Sequence, residues 1–487
     1  MSQPNVQITE LDGALGIIPT TAGRLLSVVG VSSSGPIDTP ATFARTSDLR
    51  ASFGDGPAVE AAAIMIERFG KPVQFTRTGQ TTAGSFPAGD VVVRVGSGTS
   101  VVIVDDAGTA PWDDFEFYFG VVAGGTIGVD GITFKWSLDG GRTKSAVTAL
   151  GTDALFIFPG SGGVQIDFSA GTLLAGETAT FRGDAPKWNT TEIGTALDAI
   201  FASTVAWENA LIVGDLAAAD IDTIDPKFTA AQTRGKYRGW IGHTRMPLIG
   251  ESEATYKAAL DAIFASKATV HGEICSGAAK TISSVSGRQY RRPSGYTIGA
   301  LEQSASEEIN IADVNRGPVP GVSITDANGN PDEHDESLNP GLDDSRFTVF
   351  RTWDGLQGVY VNRPRVFSAA GSDFDIFPKR RVINIAHAVL RNYFIRRLSK
   401  PVRVDANTGY ILETEALEIE SGARAAMRAA LLAKPKASAV QFTLSRTDNL
   451  LSTKTLTGNG RVIPLAYPEF IDLSVGFMNP ALQIQSV

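Results

Sequence analysis

The chain has 487 residues, of which 43% are hydrophobic, so it is long enough for three or four compact units. Its 43 Lys and Arg residues against 52 Asp and Glu residues leave a formal net charge of −9, which argues against a general nucleic-acid coat and direct nucleic-acid binding. The one cysteine, Cys275, excludes an intramolecular disulfide and a thiolate zinc cluster, and we expect it in a core.

The chain begins with a short alternating segment, NVQITEL, in which Val6 and Ile8 share one face. This start lacks the basic and apolar regions of a signal peptide. No stretch of the chain reaches the roughly 20 apolar residues that span a bilayer, so we expect no membrane insertion. A single short strand is unstable alone in water, so this segment and the extended tail at the other end of the chain each pair either within their own molecule or with a neighbour's sheet. The residues alone favour the first alternative.

Residues 23–80 read as strand, helix and strand: LLSVVGVSS, GPAVEAAAIMIERFG and PVQFTRT. Pro57 near the start of the helix and Gly70 at its end are typical helix boundaries. This order predicts the opening of an α/β layer.

Residues 86–187 change to short alternating strands that are rich in Gly, Thr and aromatic residues. The seven predicted strands are DVVVRVG, SVVIVD, FEFYFG, ITFKWSL, ALFIF, VQIDF and TATFRG. They predict a small all-β sandwich or barrel inserted into the α/β unit.

Residues 188–300 return to alternating helices and strands, and LDAIFAS occurs twice, at 197–203 and at 260–266. Each copy presents an apolar helical stripe and is followed by a strand, ALIVGD (210–215) or TVHGEICSG (269–277). The pattern predicts crossover units on a mostly parallel sheet.

The last third begins with a predicted hairpin at 347–362 and a helix that starts at Pro378. A second predicted helix, 413–434, carries glutamates in its first half and basic residues in its second, which suits the helix dipole. The chain then reaches a tail, EFIDLSVGFMNP. One face of this extended tail carries Ile471, Leu473, Val475 and Phe477.

Catalytic motifs are absent from the sequence: there is no GxxxxGK[ST] loop, GxSxG elbow or HExxH helix. We therefore predict no catalytic residue and no cofactor, and we expect the four histidines, His243, His271, His334 and His387, to be solvated and non-catalytic. The adjacent acids Asp113 and Asp114 would point to opposite faces of a strand and not flank a substrate.

One loop, DANGNPDEHDE (326–336), spaces oxygen ligands as a calcium loop does, with Asp326, Asn328, Asn330 and Asp332. It departs from the EF-hand pattern, because Pro331 replaces the glycine and Ser337 stands at position twelve. We expect a solvated acidic loop and assign no metal site.

Two segments resemble the bacteriophage contractile tail sheath protein family. The first is SVVGVSSSGPIDTPATFARTSDLRASFGDGPAVEAAAIMIERFGKPVQFTRT, which follows the family's order of strand, "G.ss.GP.n.P" turn, "FG.G..v.AA" segment and strand. The second is NPGLDDSRFTVFRTWDGLQGVYVNRPRVFSAAGSDF, where an arginine-bearing strand and a "G.YVN" strand precede a basic helix opening, here KRRVINIAHAVLRNYF. The resemblance covers most of 1–80 and 188–487.

The resemblance implies an α/β (α+β multidomain) fold with exchanged terminal strands. It implies an N-terminal arm (1–22), a middle α/β domain (23–85 and 188–345), an outer β-rich insertion (86–187) and a C-terminal α+β domain (346–487). It also makes Val6, Ile8, Ile471, Leu473, Val475 and Phe477 candidates for strands shared between subunits.

The function implied by the resemblance is mechanical. Copies of the chain would stack as hexameric rings around a tail tube and contract, with the tube protein, the baseplate and the tail terminator as partners. The location would be the virion tail, after assembly in the host cytoplasm. Candidates to face an acidic tube surface are Arg424, Arg428, Lys434 and Lys436, although a solvated helix end explains these cations equally well.

Two alternatives stay open at this point. One is a virion-associated carbohydrate-active enzyme with an acid pair in a cleft of the α/β unit. The other is a static shell or binding protein that forms assemblies of fixed length.

Overall fold

The computed structural model describes residues 25–86, 93–104, 110–248, 250–326 and 329–477. The chain divides into two compact units, Met1–Pro401 and Val402–Val487. Helices and several β-sheets occur along the chain, which confirms the predicted mixed α/β, multidomain fold class.

The predicted opening of strand, helix and strand is present, with two further short elements between them. The elements in chain order are β1 (Leu25–Gly30), β2 (Ala41–Phe43), α1 (Thr46–Phe53), α2 (Pro57–Phe69) and β3 (Val73–Arg77). Pro57 occupies the first turn of α2, and Gly70 ends it in the left-handed conformation with φ 61°.

All seven strands predicted between residues 86 and 187 are present. Together with three further short strands, the described part of this region contains β4 (Val93–Val95), β5 (Val102–Val104), β6 (Phe115–Ala123), β7 (Gly125–Thr126), β8 (Thr133–Ser137), β9 (Thr148–Ala149), β10 (Leu155–Ile157), β11 (Gln165–Phe168), β12 (Thr172–Leu173) and β13 (Thr178–Gly183). They form antiparallel sheets in the orders β4-β13-β6-β8-β9, β10-β11-β5 and β12-β7. Phenylalanines on alternate positions, such as Phe117, Phe119 and Phe181, fill one core among them.

The chain then returns to alternating helices and strands. These are α3 (Thr190–Ala202), β14 (Trp207–Asp215), α4 (Ala218–Thr233), β15 (Gly239–His243), α5 (Glu253–Phe264), β16 (Gly272–Cys275), β17 (Ala278–Ile282), β18 (Gln289–Pro293) and α6 (Ser294–Ser304). The LDAIF part of both copies is helical, but Ile263 of the second copy is 39% exposed, so Leu260 and Phe264 are the residues of that copy that anchor the helix, together with Tyr256 one turn earlier.

A six-stranded sheet in the order β16-β15-β14-β1-β3-β2 is the centre of the first unit. All its pairings are parallel except that of β2 with β3, which confirms the predicted crossover units. One buried core on this sheet contains residues of α2 and α6, and the other contains residues of α3, α4 and α5. Cys275 is fully buried in the first of these cores, as predicted.

The first unit ends with a short 3₁₀ turn (Val314–Arg316), β19 (Val322–Ser323), β20 (Phe350–Trp353), β21 (Leu356–Val361) and α7 (Phe377–Ile395). The hairpin β20–β21 and the start of α7 bury Phe350, Val361 and Phe377 in the α2 and α6 core. The compact units therefore divide after Pro401, whereas the sequence predicted a domain boundary after residue 345.

The second unit contains α8 (Glu413–Met427), β22 (Ala437–Leu444), α9 (Leu450–Thr453) and β23 (Gly458–Pro464). The α-helical turns of α8 end at Met427 and continue as a π-helical segment, Arg428–Leu432. Strands β22 and β23 form an antiparallel two-stranded sheet.

Candidate functional site

The second unit is built on one strand that has a buried face and an exposed face. In β22, Val440, Phe442 and Leu444 are buried, whereas Ser438, Gln441 and Thr443 are exposed. The buried residues of α8, which packs against β22, are Ala416, Ile419, Glu420, Ala423 and Met427. This alternation leaves the opposite face of the sheet to solvent.

Strand β23 covers the end of β22 with glycines. Gly460 pairs with Phe442, and Gly458 pairs with Leu444. A Cβ atom on Gly458 would lie 2.6 Å from Cζ of Phe442, so a side chain there has no room. Within the described part of the chain this sheet has only two strands, so the outer edge of each carries main-chain groups without a strand partner.

An ion-pair network fixes this sheet to α8. The Arg446 guanidinium donates to Glu413 Oε2 at 2.6 Å and to Glu420 Oε1 at 2.6 Å. Glu420 Oε1 also accepts the main-chain N–H of Leu444 at 2.8 Å. The hydrogen bond from Arg446 lowers the pKa of Glu420, so this carboxyl is ionised at neutral pH. The end of β22 is therefore held by a charged side chain of the helix.

The tail that follows β23 is extended and exposed. Residues 465–477 form no helix or strand in the structure. The exposed fractions are 73% for Ile471, 81% for Leu473 and 95% for Val475, and Phe477 is fully exposed. Phe470 is 86% exposed as well. A terminal segment was predicted to pair either within its own molecule or with a neighbour. The described part of the C-terminal tail forms no strand pair within its own molecule.

The other predicted strand candidates, Val6 and Ile8, lie outside the described residues. The four basic candidates of the second unit differ from one another. Arg428 and Lys434 are exposed, whereas Lys436 is buried. Arg424 is half-buried and contacts Glu420 at 3.6 Å. Arg428 and Lys434 are therefore the two of this set that present free charge at the surface of the second unit.

A buried polar junction in the first unit could not be found from the sequence. The Arg292 guanidinium donates to Asp113 Oδ2 at 2.6 Å and to the Asp114 carbonyl at 2.6 Å. The Asp114 carboxylate accepts the N–H of Ala185 at 2.8 Å. The two carboxylates thus have different structural partners, and both acids lie just before β6, outside the strand that the prediction assumed. The junction joins strand β18 to the β-rich segment, and Tyr290 of the same strand is buried in its phenylalanine core.

A small cavity of about 120 Å³ lies beyond the carboxyl ends of β14 and β15, where open α/β sheets commonly bind ligands. Arg182, Arg245 and Arg291 are among the residues that line it. Each of these arginines has a carboxylate partner in the same chain, and the partners are Glu116, Glu251 and Glu333 respectively. The cavity is thus bordered by charges that compensate one another.

Three of the four histidines are buried, so their predicted solvated role is wrong. His243 accepts the N–H of Gly214 through Nε2 at 3.0 Å, and His271 contacts Asp225 at 3.1 Å. His334 lies 2.7 Å from Glu253 through Nδ1 and 3.0 Å from Glu336 through Nε2. Burial lowers the pKa of His334, but the two carboxylates outweigh burial and raise it to about 9. His387 is half-buried.

The acidic loop at 326–336 uses its oxygen atoms within the protein. Asp326 accepts the main-chain N–H of Asn330 at 2.8 Å, and Asp332 forms an ion pair with Lys280. Asn328 lies outside the described residues. Among the residues that the structure describes, no three His, Cys, Asp or Glu side chains are grouped as metal ligands would be. None of the described helices is long and apolar enough to cross a membrane.

Comparison with solved structures finds distant similarities. The sheath tail protein Lin1278 from Listeria innocua is 12% identical, with 92% of this chain and 97% of that chain covered and a TM-score of 0.43. A chain of the anti-feeding prophage baseplate in the contracted state is 11% identical, with 98% of both chains covered and a TM-score of 0.48. A chain of the six-fold symmetrised baseplate of the same prophage is 11% identical, with 61% of this chain and 76% of that chain covered and a TM-score of 0.40.

No curated protein matches this sequence. A family model does, and its description is "DUF2586, N-terminal domain". The match extends over residues 3–365, which is well over half of the chain. It includes the central sheet, the β-rich segment and the hairpin β20–β21. The chain therefore belongs to the DUF2586 family.

Proposed function

We propose that this chain is the structural subunit of a contractile tail sheath. Copies polymerise as stacked hexameric rings around a tail tube, and the change from an extended to a contracted arrangement drives the tube through the host envelope. The role is mechanical and requires no catalytic centre and no cofactor. The two sequence segments that resemble tail sheath proteins support this proposal, and the C-terminal tail carries it.

The tail supports the proposal because it exposes apolar side chains in a regular extended pattern. Ile471, Leu473, Val475 and Phe477 alternate with Asp472, Ser474 and Gly476, and the four apolar side chains are largely or fully exposed. Burying one such side chain contributes about 1.5–3 kcal/mol, so a neighbouring copy that covers this face would stabilise the contact substantially. An exposed apolar strand is a template for pairing with another chain.

A matching acceptor is available in every copy. The two-stranded sheet of β22 and β23 has an outer edge on each strand, and its β22 face is already anchored on α8. A tail from a neighbouring copy would add a strand to one edge through main-chain hydrogen bonds. The N-terminal arm, with Val6 and Ile8, would serve the other edge or another copy.

Strand exchange suits a machine whose subunits change orientation. Main-chain hydrogen bonds hold the strands together, while the residues between β23 and the tail absorb rotation of one copy against the next. If contraction lowers the free energy by about 1–3 kcal/mol per subunit, the total released is this amount multiplied by the number of copies in the assembly. The energy would be stored at assembly, without a nucleotide.

Electron microscopy of the purified full-length chain tests the proposal. The test variant carries Ile471→Ser, Leu473→Ser and Val475→Ser, and the matched control carries Asp472→Ala and Ser474→Ala on the opposite face of the same segment. We expect tubes or stacked rings from the wild type and the control, and dispersed subunits from the test variant. A second test variant, which lacks residues 1–20, is expected to give shortened tubes or none.

Two results would contradict the proposal. Tubes of normal length from the triple serine variant would show that the tail does not connect subunits. Dispersed subunits from every sample, including the wild type co-expressed with its tube protein, would remove the sheath role itself.

A further inference from the structure

A groove on the first unit has an aromatic floor. It lies between α3 and α4 and has a volume of about 650 Å³, which is within the range of typical binding pockets. Phe201 and Ala231 are the buried members of its lining. The Phe201 ring packs against Trp207 and Phe228, with centroid distances of 5.1 Å to each, so the floor is rigid.

The rim of this groove is mostly positive. It carries Lys227, Arg234 and Lys236 against one acid, Asp198. Lys227 is paired with Asp198 at 2.5 Å, and Lys236 donates to the Phe201 carbonyl. Arg234 is exposed, and its guanidinium has no hydrogen-bond or ion-pair partner among the described residues. One cation at the rim is therefore free for an external acid.

The tip of the hairpin β20–β21 has the complementary character. Trp353 is 40% exposed and pairs with Leu356, which is 48% exposed. The Arg351 guanidinium lies 3.5 Å from the centre of the Trp353 ring and holds the indole in place. Between Trp353 and Leu356 stand Asp354, which is exposed, and Gly355, whose φ of 79° makes the tight turn. The tip thus presents a preorganised aromatic side chain beside an acid.

The groove and the tip belong to opposite sides of the central sheet. Phe201 and Ala231 belong to the core that contains α3, α4 and α5. The base of the hairpin, through Phe350, Val359 and Val361, belongs to the core that contains α2 and α6. The groove and the base of the hairpin therefore belong to different cores within one copy of the chain.

We propose that the hairpin tip of one copy docks into the α3–α4 groove of the next copy. Trp353 would enter above Phe201, and Asp354 would pair with Arg234 at the rim. A contact between two different surfaces is head-to-tail, so it generates closed rings or open helical stacks and not two-fold dimers. This inference rests on the proposed self-assembly and adds to it a second contact, made between the first units and independent of the terminal arms.

A charge exchange between two variants tests the contact. In Asp354→Lys the tip is repelled by the native Arg234, and in Arg234→Glu the rim repels the native Asp354. Each variant alone is expected to lose roughly tenfold in the sedimenting assembled fraction. A 1:1 mixture is expected to recover it, because each altered surface then faces its complement. Asp153→Lys, an exposed acid of the β-rich segment, is the control for the charge change.

A cross-link provides a readout that does not depend on particles. Asp354→Cys with Arg234→Cys in one chain is expected to give a ladder of disulfide-linked multimers on mild oxidation, since the native Cys275 is buried. If both single charge variants assembled as well as the wild type and no ladder formed, this contact would be overturned and the arm-linked sheath would remain. Failure of the wild type to assemble even when it is co-expressed with its tube protein, with no ladder, would overturn both.

Discussion

At the scale of single residues, buried charges hold distant parts of the first unit together. Arg381 of α7 donates to Glu208 Oε1 at 2.9 Å and to the Glu302 carbonyl at 2.8 Å. Arg291 pairs with Glu333 at 2.5 Å. Removing one partner of such a pair leaves an uncompensated buried charge, which costs about 3–5 kcal/mol.

His334 makes the stability of the first unit depend on pH. Its folded pKa of about 9 exceeds the unperturbed 6.5, so its contribution is present in full below pH 6.5 and is lost as pH rises through 9. The difference between the folded and the unperturbed pKa corresponds to at most about 3 kcal/mol of folding stability. We expect His334→Gln to remove this loss, measured as the change in free energy of urea unfolding between pH 6.5 and pH 9.

His387 provides the control for that measurement. Burial and the charge of Arg380 lower its pKa, so its contribution changes only below pH 6.5 and has the opposite sign. His387→Gln is therefore expected to keep the wild-type pH dependence between pH 6.5 and pH 9. If His334→Gln also kept the wild-type pH dependence, Glu253 and Glu336 would not hold a charged imidazole.

Residue partners were the part of the structure that the sequence could not supply. Asp113 and Asp114 precede β6 and are not on a strand, so the predicted strand geometry does not apply to them, and their partners Arg292 and Ala185 lie far along the chain. The histidines were expected in solvent because burial of a polar side chain depends on such distant partners. Lys436 was expected at the surface for the same reason and is buried.

At the scale of elements, local pattern was sufficient where it was strong. The seven alternating segments of the β-rich region all contain strands, and the LDAIF part of the repeat is helical in both copies. Strand β2 and helix α1 were missed, because β2 has three residues and α1 has a polar sequence, TSDLRASF. Helix α8 was predicted to reach residue 434, but its α-helical turns end at Met427.

The sheet of the second unit depends on the glycines of β23. Gly458→Val would place a side chain against Phe442 and Leu444, so we expect the hairpin to be destabilised by about 1–3 kcal/mol. Hydrogen–deuterium exchange of the β22 amides measures this as faster exchange. Asn459→Val, which pairs with Thr443 on the exposed face, is the control and is expected to change exchange little. If the β22 amides exchanged equally slowly in both variants, the contact of the new side chain with Phe442 and Leu444 would be relieved by a shift of these residues.

At the scale of the whole molecule, the proposed assembly predicts a charged contact with the tube. Arg428→Glu together with Lys434→Glu is expected to weaken assembly on the tube while the circular dichroism spectrum stays that of the wild type. Arg424 is left unchanged because it contacts Glu420. Co-sedimentation with the tube protein at low and high salt measures the effect, with Arg45→Glu as an exposed control in the first unit. Unchanged co-sedimentation would remove these two residues from the tube contact.

The tail sets a distance as well as a contact. The 13 residues 465–477 follow β23 directly and form neither helix nor strand in their own copy. Fully extended, they reach about 43–47 Å. If the last eight are anchored in a neighbour, the remaining five can extend over about 17–18 Å. The segment then acts as a tether of fixed length: copies can turn and slide freely within that radius, and beyond it further movement must pull the strand out of its sheet.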